Sequence, residues 1–148
     1  FTPSSDLDFM TTYTATITTG VQDLAGNNLA STYSWSFTTQ QETDPPFVDD
    51  RSPGINATDV PTNASITITF NEAMDETSVR NAFSTDPFVA GSITFNGNTA
   101  TFTPNTTLDY NTIYTITIST VAEDLVGNRL TEPETWNFTT ETSPNIKK

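Results

Sequence analysis

Apolar and polar residues alternate in short runs along most of the chain. From Tyr13 to Thr19, the side chains of Tyr13, Ala15 and Ile17 point one way and those of Thr14, Thr16 and Thr18 the other. A two-residue period predicts a half-buried strand. The same pattern predicts strands at Ser34–Thr39, with Trp35 and Phe37 inward, and at Ala64–Phe70, where Ile66, Ile68 and Phe70 alternate with Thr67 and Thr69. It recurs at Tyr114–Ile118 and around Trp136 and Phe138. Ser92–Phe95 and Thr99–Thr103 flank Asn96-Gly97, a pair that favours a tight hairpin turn because both residues tolerate positive φ, with Asn98 belonging either to the turn or to the strand. Residues 1–3 read as a strand end closed by Pro3, and Phe47-Val48 as the start of another strand. Between 71 and 83 the period changes: Asp75 is placed to cap a short helical turn, with Met74, Val79 and Phe83 against the sheet.

These segments form a repeat. Residues 1–39 and 102–140 align without a gap at an offset of 101, with 20 of 39 positions identical. Such periodicity sets the unit of folding. The expected organisation is therefore the closing part of one domain at 1–39, a polar linker stiffened by Pro45-Pro46 at 40–46, a complete domain at 47–140 and a tail or linker at 141–148. Roughly seven strands separated by regular turns, in repeated units, predict an all-β sandwich in a tandem array. Its expected core is Ile66, Ile68, Phe70, Phe95, Phe102, Tyr114, Ile116, Ile118, Trp136 and Phe138, with Val121, Leu125 and Leu130 sealing one end. Trp35 and Trp136 are expected in the core rather than as carbohydrate platforms. The opening segment has too few strands to be stable alone. It is expected either to belong to a longer array or to be completed by another subunit of a filament, and the first residue is not expected to be the biological N-terminus.

Composition narrows the function. The 148 residues contain no cysteine and no histidine, so there is no thiolate metal site, no disulfide and no imidazole base. A net charge of −13 argues against nucleic acid or anionic lipid as partner. No apolar run is long enough to insert in a membrane. Threonine is abundant, at 32 of 148 residues, which suits strands with hydroxyl-covered outer faces.

Three segments then match a known family: SPG-x5-VPTNASITITFNEAMD (52–75), YTITIS followed by EDLVGNRL (114–130) and WNFTT (136–140). The opening segment carries the last two as YTATIT, QDLAGNNL and WSFTT. The chain resembles the bacterial Ig-like domain of the S-layer SbsA type, and the resemblance implies an all-β, Ig-like, Greek-key β-sandwich. The resemblance implies an extracellular, cell-surface location and a role as spacer, stalk or lattice repeat, with neighbouring repeats or identical subunits as partners. It implies no catalysis and brings no catalytic residues. An adhesin-type binding module and an accessory domain of a secreted enzyme are the alternatives.

Few residues are candidates for chemistry. Asp124 and Asn128, repeated as Asp23 and Asn27, bracket a glycine loop and offer hard oxygen ligands for calcium, with Glu123 as a further donor. The competing reading is that they bond the backbone of their own turn. Asp44, Asp49 and Asp50 are a second acidic group, near the linker. Glu72, Asp75 and Glu76 could in principle pair as acid and base, but their position at a strand end before a short helical turn matches the structural motif that the family resemblance implies. Asn56, Asn63, Asn105 and Asn137 each begin an N-x-S/T glycosylation sequon, with Asn137 expected to face outward.

Overall fold

A computed structural model describes residues 1–144. It divides into two compact units, Phe1–Thr43 and Asp44–Lys148. Of the expected tail, residues 145–148 lie outside the described residues. Glu141 is part of the second unit, since its backbone N–H donates to the Val60 carbonyl at 2.8 Å.

The second unit has eight strands and one short helix: β3 (Val48–Ser52), β4 (Ala57–Val60), β5 (Ile66–Phe70), α1 (Glu76–Ala82), β6 (Phe83–Asp86), β7 (Gly91–Asn96), β8 (Thr99–Pro104), β9 (Ile113–Ile118) and β10 (Glu134–Thr140). One sheet has the order β4-β10-β9-β6, the other β3-β5-β8-β7. All pairings are antiparallel except β10 with β4. The alternation read from the sequence decides which side chains enter the core. Ile66, Ile68 and Phe70 from β5 and Ala100 and Phe102 from β8 belong to one buried cluster with Tyr114, Ile116 and Ile118 from β9 and Trp136 and Phe138 from β10. Phe83 of β6 meets Phe102 of β8 with ring centroids 4.6 Å apart, tying strands of the two sheets together.

Several expectations are corrected. Two strands beyond those read from the sequence, β4 and β6, are present; each has only four residues. The hairpin turn residues are Gly97 and Asn98, because Asn96 pairs with Thr99. Gly97 takes φ 57° at the first turn position, where a two-residue loop of this kind needs glycine. Leu130 is buried, but Val121 is exposed and Leu125 is 72% exposed. Ala122 and Asp124 are buried instead, beyond a turn in which the Ala122 N–H donates to the Ser119 carbonyl. Phe95 is only half-buried, with the Arg80 guanidinium 4.8 Å over its ring. Phe47 is exposed and strand β3 begins at Val48, while Pro46, expected in the linker, is fully buried.

The first unit contains one hairpin, β1 (Thr12–Ile17) with β2 (Tyr33–Thr38). Residues 1–3 form no strand there. Their counterparts, Phe102 to Pro104, sit in β8, where β5 and β7 supply neighbours.

Candidate functional site

The strongest local geometry lies in the two glycine loops. In the second unit, one oxygen of Asp124 accepts from the backbone N–H groups of Val126, Gly127 and Asn128 at 2.7–2.9 Å. The other accepts from the Asn128 side-chain amide at 2.8 Å. Gly127 has φ 97°, which lets the loop close over the carboxylate. Burial raises the Asp124 pKa, but the bonds from Asn128, Val126 and Gly127 outweigh it and hold it below the ordinary carboxylate range. The loop of the first unit repeats this. Asp23 accepts from the N–H groups of Ala25 and Asn27 and from the Asn27 amide, each at 2.9 Å, and Gly26 has φ 88°. The Asn27 side chain and backbone hold the Asp23 pKa low. The Arg129–Glu123 ion pair across one loop (3.2 Å) is replaced in the other by an amide bond from Gln22 to Asn28 (2.7 Å).

Three donors converge on one oxygen of Asp124 and a fourth meets the other. Its side chain is thus committed to shaping the turn. The carboxylate oxygens of Asp124 and Glu72 nevertheless lie within 4.8 Å of one another, close enough to share a divalent ion.

The other candidates are dispersed. Asp75 caps α1, accepting from Ser78 N–H at 2.7 Å, and Glu76 pairs with Arg80 one turn on at 3.0 Å. Glu72 accepts from the Asn71 amide. Asp44, Asp49 and Asp50 are exposed. Asn56, Asn63 and Asn105 are exposed, and Asn137 is half-buried on the face opposite Trp136 and Phe138.

The feature that sequence reading misplaced is the inner face of the first hairpin. Trp136 is 2% exposed and its indole N–H donates to the Pro53 carbonyl at 3.0 Å, with the Arg51 guanidinium 5.3 Å from its ring. Trp35, its counterpart, was expected in a core and is 45% exposed. Phe37 and Ile17 are 44% and 40% exposed, where Phe138 and Ile118 are 0%. Yet the scaffold beneath is the same. The Tyr13 hydroxyl accepts from Asp8 N–H, and that of Tyr114 from Asp109 N–H, both at 3.0 Å. Thr39 and Thr140 each donate a hydroxyl bond of 2.6 Å to a carbonyl, of Asp8 and Asp109 respectively. Tyr13–Phe37 and Tyr114–Phe138 stack at 5.9 and 5.8 Å. An open cavity of 940 Å³ lies on this face, lined by Leu7, Tyr13, Ala15, Ile17, Trp35 and Phe37 among others.

The family model for the bacterial Ig-like domain matches residues 1–39 and again residues 42–140. The chain belongs to the bacterial Ig-like domain family. No curated protein matches it. Among solved structures, this bacterial Ig-like chain is similar to an L,D-transpeptidase from Mycobacterium smegmatis, with 15% identity and TM-score 0.53 over 66% of this chain and 41% of that one. It is also similar to the LD transpeptidase LdtMt1 in complex with imipenem, with 20% identity and TM-score 0.50 over the same shares. The N-terminal part of the bacterial S-layer protein SbsC is similar at 22% identity and TM-score 0.49, over 66% of this chain and 24% of that one. The chain thus spans about two fifths of the length of the transpeptidases it matches. At these identities the likeness to solved structures is one of fold. Among the described residues, no helix is long and apolar enough to cross a membrane.

Proposed function

We propose that this bacterial Ig-like segment is a non-catalytic structural repeat, a spacer, stalk or lattice element of an extracellular cell-surface protein or filament. One observation carries the reading: the closing half of the sandwich occurs twice, 101 residues apart, with the same internal hydrogen-bond scaffold. A unit that repeats its framework while varying its outer side chains adds length without adding chemistry. Its neighbours are further repeats or identical subunits. The test is length. Polypeptides with one, two and three 101-residue units should grow in maximum dimension, by small-angle scattering, in equal steps on the order of 30–40 Å. Collapse to a compact particle would refute a spacer.

A second reading, an accessory domain of a secreted enzyme, is favoured by the transpeptidase likeness, which covers only 41% of those proteins. Peptide mapping of the native polypeptide separates the two, since an accessory domain requires a catalytic domain in the same polypeptide and a stalk requires further Ig-like repeats. Calcium at Glu72 and Asp124 would stiffen either arrangement. Thermal unfolding with and without millimolar calcium tests it, because an ion bound only to the folded state must raise the transition.

A further inference from the structure

Each outer strand of an open sheet presents a row of backbone donors and acceptors with which another chain can pair. In the second unit the outer strands are β3, β4, β6 and β7. Three of them are guarded. Strand β3 carries Asp49, Asp50 and Arg51, shifts register between Val48 and Asp50, and runs into Pro53. Strand β4 has four residues and an irregular pairing with β10; Asp59 has φ 55° and Pro61 follows. Strand β6 has four residues and stops at Pro87. Strand β7, GSITFN, is different. It has six residues, no charge and no proline, and it pairs with β8 without a shift. Beside it lies an open cleft of 570 Å³, lined by Phe83, Val89, Ile93 and Phe102 among others, and by Phe88, which is 84% exposed.

The free groups on this edge follow from the hairpin. Gly97 and Asn98 make a two-residue turn, so Asn96 and Thr99 face each other as a bonded pair, and bonded pairs alternate from there. Asn96, Thr94 and Ser92 therefore bond to β8. Gly91, Ile93 and Phe95 turn their N–H and C=O groups to the open side. The Ile93 carbonyl agrees: the Arg80 guanidinium donates to it at 3.5 Å from α1, and its second lone pair stays unused.

We propose that β7 is the lateral contact between identical chains. Two copies join antiparallel about a two-fold axis at Ile93, and their β3-β5-β8-β7 sheets become one continuous sheet. The sequence complements itself in that register. Gly91 faces Phe95 of the second copy, so the ring meets no opposing side chain. Ser92 faces Thr94, the hydroxyl pairing that already links Thr14 to Ser36 and Thr16 to Ser34 at 2.8 and 2.9 Å on β1–β2. In a chain of net charge −13 an uncharged seam matters, since like charges directly opposite one another are destabilising. An unrelated strand would form the same backbone ladder, but the two-fold match of glycine with phenylalanine and serine with threonine singles out a second copy. The inference deepens the repeat reading, on which it rests, by naming the edge through which neighbouring arrays bind side by side.

Sedimentation velocity of the full chain between about 10 μM and about 1 mM should show a monomer–dimer equilibrium. Two double variants test the seam, Ser92→Lys with Thr94→Lys and Ser92→Glu with Thr94→Glu. Both positions are exposed, so the urea midpoint of the second unit should hold. Each variant alone sets like charges face to face and should associate about ten-fold more weakly than the parent chain, while their equimolar mixture should recover the dimer. The chain has no cysteine, so the register can be read by oxidation. A mixture of Ser92→Cys and Thr94→Cys chains should give the mixed disulfide. Neither chain should couple to itself, because diagonal residues lie about 7–8 Å apart, too far for a disulfide. A chain that stays monomeric throughout overturns the proposal. So does a dimer indifferent to both charge variants, which would place the contact elsewhere, and so does a predominance of either self-coupled disulfide. The length test reads spacing along one polypeptide and not between polypeptides, so failure here and failure of the spacer reading are distinguishable.

Discussion

Replacing Ile116 by alanine tests the sandwich at its centre. Ile116 is fully buried in β9, paired with Trp136 on one side and Thr85 on the other. The change removes three carbons, about 2.4 kcal/mol at ~0.8 kcal/mol per buried methylene. A residual cavity adds about 24 cal/mol per Å³, so incomplete collapse raises the loss to about 3–4 kcal/mol. Against a total stability of about 5–15 kcal/mol this is large, and for a unit of this size it lowers the melting temperature by on the order of 10–25 °C. The assay is urea unfolding followed by Trp136 fluorescence in a Trp35→Phe background. The matched control is Ala15→Ile, which adds the same three carbons at the equivalent site of the first hairpin. There the face is open, and the unfolding of the second unit should move by no more than about 0.5 kcal/mol. A loss below about 1 kcal/mol for Ile116→Ala would refute burial of the Ile116 side chain between the two sheets.

Gly91→Ala should destabilise the second unit by about 1–3 kcal/mol, because a Cβ there overlaps the Phe102 ring and comes within 2.6 Å of the Thr103 carbonyl oxygen; an unchanged urea midpoint contradicts this. Asp75→Ala removes the α1 cap and should cost about 1 kcal/mol by the same measurement. Asp124→Asn should cost about 1.5–3 kcal/mol at pH 7. The folded-state pKa of Asp124 is lowered, so its contribution is complete above the unfolded value of about 3.9 and is lost as pH falls through the folded one. The gap between the variant and the parent protein should therefore close below about pH 4; a gap that widens in acid would contradict the hydrogen-bonded carboxylate.

The strands with five or more residues and a clear alternation, β1, β2, β5, β9 and β10, were legible because one face is mostly threonine and serine and the other mostly apolar or aromatic. The Asp75 cap was legible because a short acceptor precedes a change of period. The strands β4 and β6 were not, since four residues carry too little periodicity, and β4 lies among proline and positive-φ residues such as Asn56 and Asp59 that read as turns. Val121 and Leu125 were not legible because hydrophobic character does not decide burial where a turn interrupts the alternation, and there Ala122 and the charged Asp124 are the buried residues. Trp35 differs in kind. Its pattern specifies an inward face, but the single hairpin of the first unit offers no second layer to cover it, a shortage that the strand count of residues 1–39 already implies.

Hydrogen exchange of the whole chain tests the central claim most directly. The amides of 113–118 and 134–140 should exchange only through opening of the whole second unit, while those of 12–17 and 33–38, in an uncovered two-stranded ribbon, should exchange orders of magnitude faster. Equal protection in the two hairpins would contradict the account, for it would mean that the same sequence pattern is buried both times.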